Sequence, residues 1–380
     1  MTFVLSALAF LVLLTLLVIV HELGHFSMAR LFGVHVEEFG FGLAPRLKKL
    51  FSWRGTLFSL NVIPFGGFVR LQGETSVDPR ERGSEGSFAA ASIPARLIIL
   101  FAGVCMNLLL AITLLTVGFW LWKWVPTYLT LSDLQAGAGR GEVTVEWSLF
   151  VSKVIPGMPA ARAKVATGGI LTAVNGTAVT TVEEVLALQA KGKSVAYTLR
   201  YPTIPGGKEF TEEKIVRVEV WQGKTGIALS AFAQTITGTG HSLLGAVCLA
   251  WREAWMVIWQ TIRGAGKLVS SIFLEGRVPK GITGIVGIAK LTDDSVREGL
   301  MTYLRLVALL SLSLAALNVL PFPALDGGRM LFVLIEMVTG GPVHRRIEIF
   351  ANTLGFLLIL LLIVAVTLND ILHLFASSLP

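Results

Sequence analysis

The sequence predicts an α-helical polytopic membrane protein of about four transmembrane helices, with a membrane-associated β-region and one inserted α+β module. Three observations predict it. Hydrophobic residues make up 53% of the chain and charged residues only 15%, against about 25% charged in a soluble domain. Four apolar runs each approach the ~20 residues that a helix needs to cross a bilayer. Between the second and third runs lies a stretch of ordinary soluble composition.

The first run, Phe3 to Val20, is uncharged and continues directly into His21-Glu22-Leu23-Gly24-His25. It lacks a basic n-region and a small-residue cleavage site, so it reads as a retained first transmembrane helix, residues 1–30. Residues 31–95 are rich in Phe and Gly (Phe39-Gly-Phe-Gly42, Phe65-Gly-Gly-Phe68) and include Leu57-Phe-Ser-Leu-Asn-Val-Ile63. They read as β-hairpins too apolar to be freely solvated. Irregular backbone at membrane depth is tolerated only against protein or a wet cavity, which puts this region beside the site. The second span, residues 96–126, closes on Trp120, Trp122 and Trp124, indoles suited to a membrane–water interface.

Residues 143–231 read as the soluble module. Val195 to Tyr201 and Lys214 to Trp221 alternate or are β-branched, as strands are. Thr181 to Ala190 reads as a short helix that Thr181 caps, with Glu184 three residues on. Pro205-Gly206-Gly207 reads as a turn. Residues 240–300 form an amphipathic interfacial segment, because Arg252, Glu253, Arg263 and Lys267 interrupt it while Trp251, Trp255 and Trp259 share one helical face. The third span covers residues 301–328 and the fourth 349–369.

Lys and Arg outnumber Asp and Glu by 32 to 25. Nucleic-acid binding would need that excess clustered on a soluble face with aromatic platforms; here it flanks the apolar runs. Arg30, Arg46, Lys48, Lys49, Arg54, Arg70, Arg80 and Arg82 fall between the first and second spans, and Arg329, Arg345 and Arg346 between the third and fourth. Positive-inside logic makes both loops cytoplasmic, with both termini and the soluble module extracytoplasmic.

His21 and His25 are four apart, so a helix sets both imidazoles on one face, one turn apart. Two zinc ligands need that spacing, and Glu22 beside them is placed to take a proton from water. A catalytic zinc takes a third protein ligand and leaves one position open. His35, His241, His344 and His373 lack companions, and Cys105 and Cys248 lie in apolar helical stretches as small buried hydrophobes. A carboxylate fits better. Asn318-Val-Leu-Pro-Phe-Pro-Ala-Leu-Asp326-Gly-Gly328 ends the third span on the side that holds His21 and His25. Pro321 and Pro323 break the helix there, and Gly327-Gly328 permits a tight turn that returns Asp326 toward the metal.

This pair of motifs resembles the site-2 protease family of intramembrane zinc metalloproteases, most closely its bacterial RseP-like members, over nearly the whole chain. The resemblance implies His21, His25 and Asp326 as Zn2+ ligands, Glu22 as general base and Asn318 as a catalytic group that holds substrate or steadies the oxyanion. Ala102-Gly103-Val104 followed by Asn107 is similar to the family's Ala-Gly-Pro-x-x-Asn pattern, with Val104 in place of proline, and marks Asn107 as substrate-binding. Pro64, Gly66 and Gly67 belong to a run, Pro64 to Gly73, that resembles the family's strand edge for unwound substrate. Gly281 to Gly287 resembles a further landmark with no chemistry assigned.

The soluble module resembles a PDZ domain, present once. Val154-Ile-Pro-Gly-Met-Pro-Ala-Ala161 matches its loop and helix start, and Gly168-Gly-Ile-Leu-Thr-Ala-Val-Asn-Gly176 its signature, with Gly169 where Asp is usual. The family likeness implies a multi-pass protein of the bacterial cytoplasmic membrane. It would cut single-span membrane proteins such as an anti-sigma factor, or clear signal peptides, with the active site near the cytoplasmic side.

Two other classes compete. A non-catalytic membrane scaffold would bind peptide ends through the PDZ-like domain and would tolerate replacement of His21, Glu22 and Asp326. A metal transporter would need polar groups along several spans, which these runs lack apart from their ends.

Overall fold

A long run of Leu, Val and Ile without proline folds as one helix, α1 (Thr2–Leu31). It carries the His21 to His25 sequence toward its C-terminal end and stops at Leu31, just before Gly33, whose φ of +74° reverses the chain. The computed structural model describes residues 2–377 except 75, 77, 203–209, 280 and 281. Contacts divide it into two units, residues 1–122 with 241–380, and residues 123–240.

After α1 come β1 (Val36–Trp53) and β2 (Thr56–Leu71). The two strands bend back on themselves. Residues 38–41 pair on one side with 67–70 and on the other with 57–60, while 46–53 pair with 56–61. The expected β-region is therefore one doubled hairpin. It is held by aromatic packing: Phe39 stacks on Phe58 at 5.6 Å and meets Phe26 of α1 edge-on at the same distance. A short α2 (Pro79–Arg82) leads to α3 (Ile93–Leu121). Ser92 caps α3 by accepting the Ala95 N–H, and Pro94 sits in its first turn, where a missing N–H costs nothing.

The unit 123–240 is built on one sheet. Its elements in order are α4 (Leu131–Gly139), β3 (Val143–Val154), α5 (Pro159–Arg162), β4 (Ile170–Val174), β5 (Thr177–Ala178), α6 (Val182–Gln189), β6 (Ser194–Pro202), β7 (Phe210–Glu219) and β8 (Ile227–Gly238). The strands run β7-β6-β4-β3-β8, with β5 on β4. Leu149, Leu171, Tyr197 and Leu199 form the centre of its core, each 2% exposed or less. Thr181 and Glu184 form a reciprocal capping box on α6, as the sequence pattern anticipates. The unit is larger than the expected 143–231, because α4 precedes β3 and β8 runs on to Gly238. Pro205 to Gly207 lie outside the described residues.

The chain then returns to the helical unit as α7 (Leu243–Glu275), α8 (Ile285–Glu298), α9 (Leu300–Val319), α10 (Asp326–Thr339) and α11 (Arg345–Ser377). The segment 240–300 is thus two helices. On α7, Trp251, Trp255 and Trp259 are exposed, while Ala246, Ala250 and Ala254 are buried toward α3 and α9. The Gly284 and Gly287 N–H groups both donate to the Asp370 carboxylate of α11 at 2.9 Å. This accounts for the described part of the Gly281 to Gly287 landmark: the anion satisfies a helix N-terminus.

The third apolar helix is shorter than expected. It ends at Val319, well before residue 328, because Pro321 and Pro323 remove backbone donors. Gly327 and Gly328 do not make a turn; they are the first turn of a separate helix, α10. The reversal falls instead at Ala324, with φ +75°. The helices α1, α3, α9 and α11 are long and apolar enough to cross a membrane. Their outward Leu, Val and Phe side chains, such as Phe350 and Leu361, suit lipid rather than water.

Candidate metal centre

The helical periodicity of α1 places His21 and His25 one turn apart, and the two rings meet edge to face with centroids 4.8 Å apart. Their Nε2 atoms are 3.2 Å from each other. Asp326, the first residue of α10, brings Oδ2 to 2.8 Å from His21 Nε2 and 3.3 Å from His25 Nε2. One ligand atom from each residue thus falls within 4.8 Å of the other two.

Asp326 reaches that point because the chain between α9 and α10 is compact. A Cβ on Gly327 would collide with the Val319 and Leu320 carbonyls, and one on Gly328 with the Phe322 carbonyl. The glycines are needed for close approach, not for a left-handed backbone. The Ala324 N–H donates to Asn352 Oδ1 of α11 at 3.1 Å and steadies the reversal.

The three donors fit a zinc ion. His25 Nδ1 lies 2.8 Å from the Ile99 carbonyl, to which only an Nδ1–H can donate, so the Nε2 lone pair faces inward. Two nitrogens and a carboxylate oxygen around one point, with a side left open, make the usual donor set of a catalytic zinc. The space is kept by Gly103 of α3. A Cβ there would stand 2.6 Å from His25 Nε2 and 2.8 Å from His21 Nε2. A Cβ on Gly24 would strike the Ala102 carbonyl, so glycine on both helices lets α1 and α3 close on the site.

Around the donors opens a cavity of about 310 Å³, bordered by Glu22, Asn318, Phe68, Glu74 and Arg329 as well as by His21, His25 and Asp326. Asn318 Nδ2 is 3.5 Å from His21 Nε2. Asn107 is fully buried and does not border the cavity; its carboxamide nitrogen sits 3.3 Å from His21 Nδ1. Gly67 lies over α1, where a Cβ would come 3.9 Å from Glu22 Cγ, and Gly66 turns the strand at φ +82°. The Pro64 carbonyl accepts from Thr15 Oγ1 at 3.4 Å. The β2 residues that line the cavity are the next ones along, Phe68, Val69 and Leu71. Sequence reasoning alone does not single out two charged residues of the cavity, Glu74 and Arg329, the latter reading only as a cytoplasmic charge. Its place three residues after Asp326 is the signal that would have found it, since helical residues i and i+3 share a face.

The sequence model of peptidase family M50 matches residues 9–362, nearly the whole chain. The chain belongs to peptidase family M50. Similar proteins named as zinc metalloproteases include one from Clostridium perfringens, 30% identical over 93% of this chain and 95% of the relative. Another, from Rickettsia conorii, is 28% identical over 98% of this chain and 100% of the relative. A third, from Campylobacter jejuni, is 27% identical over 96% and 92% respectively. This M50 protein is a zinc metalloprotease, and its apolar helices make it a membrane one. Among the described residues, His21, His25 and Asp326 bring three donor atoms close enough to hold a metal ion.

Proposed function

We propose that this metalloprotease hydrolyses peptide bonds within or beside the transmembrane segments of single-span membrane proteins, as in regulated intramembrane proteolysis or signal-peptide clearance. The observation that carries the reading is the convergence of His21, His25 and Asp326 at one wall of a cavity that Glu22 and Asn318 also border. His21, His25 and Asp326 would hold the zinc, which when bound would supply the Lewis acidity that acidifies water and polarises a carbonyl. Glu22 takes the proton of the attacking water and returns it to the leaving amine. Asn318 donates a hydrogen bond to the oxygen on which charge develops.

A helical substrate must unwind to be cut, because its peptide groups are hydrogen-bonded and shielded. Residues 67–71 pair with β1 on one side only, which supports strand addition by the unwound segment. We read unit 123–240 as an extracytoplasmic PDZ-like domain. The basic residues between α1 and α3 support a site near the cytoplasmic face of a bacterial inner membrane, in an RseP-like arrangement.

The test is cleavage of single-span candidates by purified protein, with and without a zinc chelator, beside Glu22→Gln. The variant should bind zinc as the parent does and lose at least about 100-fold in rate, the low end of general-base contributions. A variant that retains both zinc and cleavage would remove Glu22 from the mechanism, whereas a parent protein that cleaves no candidate would favour the scaffold.

A further inference from the structure

Ile99, Gly103 and Asn107 follow one another at i, i+4 and i+8 on α3, so they form one stripe. The stripe lies along both imidazoles. Ile99 O meets His25 Nδ1 at 2.8 Å, Gly103 leaves room at the two Nε2 atoms, and the Asn107 carboxamide meets His21 Nδ1 at 3.3 Å. We infer that Asn107 is a positioning residue for the metal centre, holding the ring and tautomer of His21, and not a substrate-binding residue. The inference rests on His21 being a zinc ligand through Nε2.

The argument is one of donors and acceptors. His21 Nε2 faces Asp326 and His25, so it is the metal-side nitrogen. A ligating imidazole with Nε2 on the metal carries its proton on Nδ1, and that N–H needs an acceptor. Asn107 is 0% exposed, and its Oδ1 is buried with no hydrogen-bond partner among the described residues. With Nδ2 toward His21 the two donors would oppose each other. Turning the carboxamide over brings Oδ1 to Nδ1–H and pairs donor with acceptor. The two amide N–H groups are left without a partner among the described residues in that arrangement, as Oδ1 is in the other, so the donor–donor opposition decides between them. The Asn107 carbonyl also accepts from Ser311 Oγ of α9 at 2.8 Å, a contact away from the imidazoles.

The experiment measures metal affinity and the cobalt absorption spectrum of the full-length protein in detergent, by competition with a chelator. Asn107→Ala should bind zinc about 10- to 100-fold more weakly, the usual cost of losing such a partner, and should shift the ligand-field bands of cobalt. Asn107→Asp keeps an acceptor oxygen and should restore the parent spectrum. Ser311→Ala removes the neighbouring α3–α9 hydrogen bond and should leave affinity and spectrum unchanged. Equal losses in Ser311→Ala and Asn107→Ala would mean that packing alone is at stake, and would overturn the inference. So would parental affinity and bands in Asn107→Ala. His21→Ala is the control for the ligand assignment: if it binds metal like the parent, the ligand reading itself fails.

Discussion

Arg329 Nη1 lies 2.6 Å from Glu74 Oε1, which ties the helix that begins with Asp326 to the chain just beyond β2. Both residues border the cavity. A second pair, Arg96 on Glu336 at 2.9 and 2.6 Å, joins the same helix to α3. The Asp326 carboxylate is therefore carried on an element fastened at two places.

Breaking the first fastening should weaken the site without removing it. Arg329→Gln or Glu74→Gln should lower cleavage about fivefold, equivalent to roughly 1 kcal/mol once partial solvent exposure of Arg329 is allowed for. The double variant should lose little more than either single one, since the two groups act as one pair. Steady-state kinetics on all three proteins would show whether the effects add; full additivity would mean the residues act separately.

Gly103→Ala should be far more damaging than its size implies. The added methyl would fall 2.6 Å from His25 Nε2, well inside contact distance. Zinc affinity should fall by more than about tenfold, as it does when ligand orientation is disturbed. Metal content after purification and chelator titration measure it. Loss of activity with zinc affinity intact would contradict the close packing of α3 on the ligands.

The β-region should loosen in acid. Burial alone would raise the Glu38 carboxyl, but hydrogen bonds from Arg46 and Ser59, and the nearby Arg46 and Arg70 charges, hold it below its ordinary value of 4.5. A depressed folded value stabilises above the unfolded one and is lost as pH falls through the folded one. Amide exchange in residues 36–71 should therefore be independent of protonation at Glu38 above about pH 5 and should accelerate below 4.5. Glu38→Gln should flatten that dependence.

Much of the centre was legible because it is local. The i, i+4 spacing of His21 and His25 is a property of any α-helix, and the apolar runs that became α1, α3, α9 and α11 announce themselves by length and composition. Thr181 and Glu184 form their capping box within one turn, so residue types alone predict it. Where contacts between distant segments decide, the same reading fell short. Gly327 and Gly328 are equally compatible with a turn or a helix start, and only the carbonyls of residues 319–322 pressed against them select the helix. Asn107 matched a substrate-binding pattern, yet its burial against His21 gives it another place.

From its own residues the chain determined four helices that require lipid, a pair of imidazoles on one face, and a carboxylate freed by two prolines. The tertiary structure alone decided that Asp326 meets imidazoles 305 and 301 positions away, which atoms of α3 stand behind them, and that Arg329 and Glu74 close the cavity's border. The reason is physical: periodicity and capping act within a few residues, whereas the approach of α3 and α10 to α1 depends on glycines that leave room and on ion pairs whose partners are remote in sequence.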